Sequence, residues 1–199
     1  SEPTRSSNVG ATRYLLEQQY GYPVTIIHTY TLPYADLDKY NVLILPEYYG
    51  FQGGYSGILG DRGISDLKDW VSDGGTLVAI GGAARWLTSE NVSLLSTETE
   101  RMAKQESEKE EEEGSPPSLE DLIQPEDEAP FAVPGALLQL KLDREHWLAF
   151  GYDSDTIGLV SSRLIFTPLK LDEGRNVATY AESDSLVLSG LVWEESIAQ

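Results

Sequence analysis

The chain has 199 residues, 40% of them hydrophobic, and a formal net charge of −19. This length fits a single domain, residues 1–199, with a real core, and the acidity argues against nucleic acid or anionic membrane surfaces as partners. With no cysteine, the chain can form neither a disulfide nor a thiolate site. No stretch approaches the roughly 20 apolar residues of a membrane span.

The first part of the chain alternates predicted helices and strands. A helix over residues 6–20, capped by the segment 6–8 and ended by Gly21, precedes a predicted strand at 23–28. A second strand at 41–45 is apolar throughout, which favours the centre of a sheet. Strands separated by helices with short connections predict a parallel sheet in an α/β fold.

A glycine-rich stretch follows the second strand. Residues 46–63 contain six glycines and four aromatic residues and are predicted to form a long irregular loop. Ligands of open α/β sheets bind at the carboxyl ends of the strands, where this loop begins. The candidate ligand-binding residues, here and at the next turn, are Glu47, Tyr48, Gly53, Gly54, Gly81, Gly82 and Arg85.

The most informative stretch is 65–87, predicted to form a helix, a buried strand and a second helix. Ser65 is placed to cap the first helix, and Gly74 with Gly75 to end it. The nearly all-apolar run 76–80 predicts a central parallel strand covered on both faces. Gly81, Gly82 and Ala83 then form a sharp turn into the next helix, where α/β proteins place a nucleophile or an anion.

Composition changes abruptly after Leu95. Between Glu98 and Glu128 there are 13 acidic and 3 basic residues, so residues 96–130 are predicted to be a solvated, low-complexity insertion. Clustered carboxylates also suit calcium, although no EF-hand spacing is present.

The remaining chain predicts a β-rich C-terminal half. Short strands are predicted at 136–142, 158–161, 163–166, 176–180 and 186–188, with little helix between them.

Catalytic and metal-binding patterns are weak. The two histidines, His28 and His146, are far apart in sequence and fit no zinc motif, which needs three or four converging ligands. Ser56 lies in a run that only partly matches G-x-S-x-G, with Ile58 where the second glycine belongs. Asp143 and His146 are interpreted as parts of a turn after a strand.

The elbow resembles that of class I glutamine amidotransferase-like proteins. In that family a parallel strand ends in G-x-C-x-G; the matching run here is Ala79-Ile80-Gly81-Gly82-Ala83, with Gly81 in place of the cysteine. The resemblance implies a three-layer, mainly parallel sheet flanked by helices, similar to flavodoxin and Rossmann folds. It also implies that the elbow keeps its turn but has lost its chemistry, because glycine adopts the strained conformation freely.

A closer resemblance covers most of the chain. The C-terminal domain of large bacterial zinc carboxypeptidases of the carboxypeptidase A type is similar to the segments LLEQQYGYPVT, DLDKYNVLILPE, LKDWVSDGGTLVAIGGAARWL, VPGALLQLKLDREHWLAFGY and GRNVATYAESDSLVLSGLVW. In those proteins a separate N-terminal domain carries the zinc and the catalytic glutamate. The family domain starts with an earlier strand and continues past Trp193, so the chain is predicted to be a piece of a longer protein.

The resemblance implies a non-catalytic accessory domain of a secreted or periplasmic zinc carboxypeptidase. Its expected partner is the N-terminal carboxypeptidase domain of the same protein, and a homodimer is also possible. The chain itself is expected to bind no cofactor. Two alternatives remain open. One is a hydrolase that uses Ser56 or a carboxylate with His146, and the other is a small-molecule binding module at the elbow.

Overall fold

In a computed structural model of the protein, the residues described are 4–48, 54–99, 133–162 and 164–192. They form a mixture of helices and strands, which confirms the α/β class in its general sense. The chain divides into two compact units, residues 1–95 and 96–199, and the single-domain assignment stays a prediction. Within the described ranges, no helix is both long and apolar enough to cross a membrane.

The first unit is built around a small parallel sheet. Strands β1 (Val42–Leu45) and β2 (Thr76–Ala79) pair in parallel, with Val42 beside Thr76 and Leu45 beside Ala79. Both strands and their parallel direction were predicted from their apolar runs, and both are confirmed.

A long helix connects the two strands and covers one face of their sheet. Helix α2 (Ser56–Ser72) buries side chains at helical spacing, and β1 points alternate side chains toward the same core. The buried residues that form this core include Leu43, Leu45, Tyr55, Leu59, Ile64, Leu67, Trp70, Ala83 and Trp86. This helix-on-sheet contact fixes where the two strands end.

The end of α2 is set by two glycines, as predicted. The N–H of Gly75 donates to the carbonyl of Trp70 at 3.0 Å, and the N–H of Gly74 donates to that of Val71 at 3.1 Å. These two bonds form a Schellman motif, which Gly74 closes with a φ of +106°. A Cβ at Gly75 would overlap the indole of Trp70, so any other residue at this position requires the indole to move.

The start of α2 differs from its prediction. The helix begins at Ser56 rather than at Ser65, and Gly60, with φ 60° and ψ 179°, interrupts it with a kink. Tyr55, Leu59 and Gly63 are buried at a spacing of four residues, so the helical pattern extends upstream. The predicted irregular loop is therefore shorter than 46–63.

The N-terminal segment also departs from the sequence analysis. Helix α1 (Ser6–Arg13) continues as a π-helix (Tyr14–Gln19), and its N-cap is Arg5, which makes no side-chain cap bond, so the predicted polar cap was wrong. Gly21, with φ +69°, does end the helix.

The predicted strand at 23–28 was wrong. Pro23 has no N–H to donate, and the N–H of Val24 donates to the Glu17 carboxylate at 3.4 Å instead of to a strand. Arg13 also donates to Glu17, at 2.7 Å, and this bond lowers the pKa of that carboxyl. Two 3-10 helices, Thr29–Tyr34 and Leu37–Lys39, complete the connection to β1.

Several side chains of the small sheet are partly exposed. Val42, Val78 and Ile80 are 52%, 40% and 38% exposed, so the prediction that β2 is covered on both faces was wrong for the described residues. Helix α1 has no fully buried side chain.

The second unit is an antiparallel sheet. Its strands are β3 (Val133–Leu142), β4 (Thr156–Ser162), β5 (Ala178–Tyr180) and β6 (Val187–Leu191). The central strand β3 pairs with β4 on one side and with β5 and β6 on the other. A short helix, Ser183–Leu186, precedes β6, and a small core forms from Val133, Ala136, Leu138 and Leu186.

This sheet confirms the β-rich C-terminal half but not its expected details. Among the described strands, β1 and β2 form the parallel pair, and the larger sheet is antiparallel. The predicted strand at 163–166 is reduced to one bridge between Phe166 and Thr99, and position 163 lies outside the described residues.

The start of the predicted insertion belongs to the second unit. The N–H of Thr167 donates to the Glu98 carbonyl at 2.9 Å, and Thr97 and Thr167 are also hydrogen-bonded. Thr99 is buried, because these bonds seat the segment against residues 166–167. Residues 100–130 of the insertion lie outside the described part of the chain.

The contact between Gly75 and Trp70 should make the stability of the protein sensitive to substitution at position 75. Gly75→Ala should lower the free energy of unfolding by about 1–3 kcal/mol, because the new methyl group must displace a buried indole. Urea unfolding followed by tryptophan fluorescence measures this loss.

Gly10→Ala is the matched control. Nothing lies within 4 Å of a Cβ at Gly10, which is inside α1, so this change should stabilise by about 0.5–1 kcal/mol. Equal stabilities for Gly75→Ala and the unaltered chain would contradict the packing described for Trp70.

Candidate functional site

The sharp turn after β2 has the backbone of an elbow. Gly81 has φ 58° and ψ −121°, and helix α3 (Gly82–Leu87) begins directly after it. The Gly81 carbonyl accepts from the N–H groups of Ala84, at 2.9 Å, and Arg85, at 3.4 Å. A strand therefore ends, reverses and becomes a helix within two residues. The positive φ explains glycine here, because other residues adopt it only with strain.

A carboxylate lies beside this turn. Glu47 follows β1, and because β1 and β2 are parallel, their carboxyl ends meet at one edge of the sheet. A Cβ built on Gly81 would be 3.4 Å from the Glu47 Cγ and 3.5 Å from its Cδ. A side chain at position 81 would therefore lie in contact with Glu47.

The N-terminal segment holds Glu47 in place. Asn8 donates through Nδ2 to the carboxylate at 3.0 Å, and Arg5 Nε lies 3.7 Å from the same oxygen. The N–H of Arg5 donates to the Glu47 carbonyl at 3.3 Å, and Thr4 forms an isolated antiparallel β-bridge with Tyr48. The Glu47 side chain is 34% exposed, so solvent still reaches it.

Three aromatic rings pack behind the elbow. The ring centroids of Tyr48 and Tyr55 are 5.4 Å apart, and those of Tyr55 and Trp86 are 5.3 Å apart. The Tyr55 hydroxyl donates to the Pro46 carbonyl at 2.7 Å, and burial raises the pKa of Tyr55, which therefore stays a neutral donor. This cluster joins the ends of β1, α2 and α3, which is a structural role.

The other predicted ligand-binding residues are only partly assembled around the elbow. A Cβ on Gly54 would be 3.7 Å from Trp86 and 4.0 Å from Tyr48, and one on Gly82 would be 3.5 Å from the Tyr48 carbonyl. Arg85 lies exposed on α3, and among the described residues no hydrogen bond or ion pair engages its guanidinium. Gly53 lies outside the described residues.

Ser56 is engaged in packing rather than poised for chemistry. Its Oγ accepts from Trp86 Nε1 at 2.7 Å and from Asn91 Nδ2 at 3.1 Å. Asn91 in turn accepts from Ser89 at 3.0 Å. These bonds tie the start of α2 to the segment after α3, and each described side-chain partner of Ser56 belongs to the first unit.

His146 and Asp143 have local structural roles in the second unit. His146 Nδ1 accepts from the N–H of Leu148 at 3.2 Å and so caps a 3-10 helix, Trp147–Ala149. Asp143 pairs with Arg175 and accepts from the N–H of Glu145 at 3.2 Å. Both observations agree with the interpretation of this stretch as a turn after a strand.

Sequence reasoning missed an acidic cleft in the first unit. A cavity of about 280 Å³ lies between α2 and the two 3-10 helices, with Leu32, Leu59 and Leu67 among its lining residues. Five aspartates also line it: Asp36, Asp38, Asp66, Asp69 and Asp73. The last three, two on α2 and one at its C-cap, are spaced by three and four residues, and this spacing is the signal that places them on one helix face. Within the described ranges, no group of three or more His, Cys, Asp and Glu side chains could hold a metal ion.

The chain matches no protein-family model, no curated protein and no solved structure.

The elbow backbone predicts an asymmetry between two adjacent glycines. Gly81→Ala should lower the free energy of unfolding by about 1–3 kcal/mol, because alanine is strained at this positive φ. Gly82→Ala, the matched control, has no positive φ and gains only an ordinary contact with Tyr48, so it should change stability by less than about 0.5 kcal/mol. Thermal melts of both variants measure the difference, and equal melting temperatures would mean that Gly81 is not an elbow residue.

Proposed function

We propose that this chain is a non-catalytic domain of the class I glutamine amidotransferase type, with the three-layer fold of that family. We further propose that it serves as an accessory module of a secreted or periplasmic zinc carboxypeptidase. The sequence resemblance over most of the chain supports the family and the parent protein. The local structure supports the loss of catalysis.

The observation that carries the proposal is the backbone of Gly81. Its positive φ between β2 and α3 is the conformation in which an elbow exposes a nucleophile, yet glycine has no side chain to offer. Glutaminase chemistry needs a thiolate, a base that activates it and amides that hold the oxyanion. The chain has no cysteine, so the first requirement fails.

The hydrolase alternative is weakened by the hydrogen bonds of Ser56. A nucleophilic serine donates its O–H to a base, and among the described residues no base accepts from the Ser56 Oγ, which itself accepts from Trp86 and Asn91. His146 Nδ1 is occupied by a backbone N–H. These local bonds support structural roles for both residues.

Ligand binding at the elbow is the second candidate function. It is favoured by opposite charges on the segments that flank the turn, the half-exposed Glu47 after β1 and the exposed Arg85 on α3. Such a ligand would raise the melting temperature of the unaltered chain, and would raise it less in Glu47→Gln and Arg85→Gln variants.

The accessory role is tested on the longer protein. The reading frame that contains this chain should continue upstream into a domain with an HxxE zinc motif, and elemental analysis should find one zinc per parent protein and none in the isolated chain. Adding the isolated chain to the separate catalytic domain should raise the melting temperature of that domain, because binding to the folded state stabilises it. A frame without a zinc domain, or no effect on melting at saturating chain, would contradict the proposal.

A cysteine placed at the elbow makes a sharper test of the lost chemistry. Gly81→Cys creates the only thiol in the chain, next to the Glu47 carboxylate. A neighbouring negative charge disfavours the thiolate, so the thiol pKa should lie above its usual value of about 8.5. The variant should therefore show no glutaminase activity, and its rate of alkylation should rise with pH only in the alkaline range.

The double variant Gly81→Cys with Glu47→Gln is the matched control. Removing the carboxylate should lower the thiol pKa relative to the single variant, which the midpoint of the alkylation rate against pH measures. A midpoint that does not move would place Glu47 away from the elbow. Glutamine turnover by the single variant would show that a base activates the thiol and would contradict the proposed loss of catalysis.

A further inference from the structure

The acidic cleft of the first unit combines an apolar floor with a rim of carboxylates. Its cavity of about 280 Å³ lies between α2 and the two 3-10 helices. Leu59, Leu67 and Trp70 line this cavity and are buried, whereas the five aspartates that line it are exposed. A ligand in the cleft would therefore meet hydrocarbon at the floor and carboxylates at the opening.

The carboxylates of the rim are only partly neutralised. Asp36 and Asp66 each lie close to one base, at 3.0 and 3.9 Å. Asp38, Asp69 and Asp73 form no ion pair with any residue in the described part of the chain. The rim therefore keeps an excess of negative charge, which a positively charged ligand would offset.

The dipole of α2 disfavours two of these carboxylates. Asp69 lies in the last turn of the helix, and Asp73 is its C-cap residue. The C-terminus of a helix carries partial negative charge, so carboxylates there lower helix stability and cations raise it. Helix α2 has no basic residue in its last turn and no acidic residue in its first. Helix stability therefore does not account for these two aspartates, whereas binding of a cation beside them does.

The spacing of the carboxylates and the apolar floor define the chemistry of the ligand. Asp66, Asp69 and Asp73 extend along about 10 Å of helix, at 1.5 Å per residue. A cation that contacts more than one of them is therefore extended. An arginine side chain has this form, because its hydrocarbon stem packs on apolar surface and its planar guanidinium donates to carboxylates.

We propose that the cleft binds an arginine side chain of a partner protein, with the stem against Leu59 and Leu67 and the guanidinium among the aspartates. Free arginine is a poorer ligand, because its α-carboxylate would meet the same acidic rim, and an arginine within a polypeptide lacks that charge. The cavity is also smaller than the roughly 300–1,000 Å³ of small-molecule pockets. The net charge of −19 attracts positively charged partners and opposes a second copy of this chain as the occupant.

Isothermal titration with an acetylated and amidated hexapeptide, in which leucine and glycine flank two arginines, tests the proposal. At about 50 mM salt the unaltered chain should bind this peptide with a Kd below about 1 mM. A peptide with citrulline in place of each arginine should bind at least about tenfold more weakly, because citrulline keeps the shape but lacks the charge. Free arginine should also bind more weakly than the arginine peptide.

Neutralising the cleft should weaken binding and stabilise the chain. The triple variant Asp66→Asn, Asp69→Asn and Asp73→Asn should raise the Kd of the arginine peptide at least about fivefold. Its melting temperature should rise by about 2–4 °C, because unfavourable charges are removed from the C-terminal half of α2. A merely structural role for these aspartates would instead lower the melting temperature.

A second triple variant, Asp61→Asn, Asp172→Asn and Asp184→Asn, is the matched control. These three aspartates are exposed and do not line the cleft, and their removal changes the net charge by the same amount. The control should bind the arginine peptide within about twofold of the unaltered chain. The proposal is overturned by no binding to the unaltered chain or by equal binding of the citrulline peptide or free arginine. Equal losses in the two triple variants would also overturn it, because they would indicate only a general attraction to an acidic protein.

Discussion

The contact between the Trp70 indole and the backbone of Gly75 is the constraint on which the first unit depends. Trp70 is buried, donates through Nε1 to the Tyr40 carbonyl at 3.2 Å, and lies where any side chain at position 75 would be. It therefore locks the end of α2 to the segments that lead into both strands. With β1 and β2 held in that register, their carboxyl ends lie side by side. Glu47 and Gly81 meet for that reason.

The turn after β2 has the backbone shape of a nucleophile elbow, with glycine at the position of the nucleophile. Its backbone conformation costs glycine little, while the same conformation would strain a cysteine or a serine. Glu47 occupies the adjacent space and is held by Asn8 and Arg5, so the site is filled by an ordered carboxylate. A site arranged in this way suits positioning and recognition better than bond cleavage, in keeping with the accessory role proposed for the chain.

The sequence predicted those elements of the fold that are determined by neighbouring residues in the chain. The apolar runs predicted β1 and β2, the pair Gly74-Gly75 predicted the helix end, and Gly81 predicted the positive φ. Features that depend on distant partners were not predictable in the same way. The run 23–28 has strand-like composition. However, Pro23 has no N–H group, and the N–H of Val24 donates to the Glu17 carboxylate instead of to a neighbouring strand. Glu47 is a predicted ligand-binding candidate, but its bond to Asn8 could not be predicted, because it joins positions far apart in sequence.

Hydrolysis of glutamine, simple amides and simple esters by the isolated chain, measured beside the Ser56→Ala variant, tests directly whether the chain is catalytic. Neither protein should exceed the buffer rate. The Ser56→Ala variant should be less stable by about 1–3 kcal/mol, because Trp86 Nε1 and Asn91 lose their acceptor. Turnover by the unaltered chain that disappears in Ser56→Ala would contradict the account and establish the chain as a serine hydrolase.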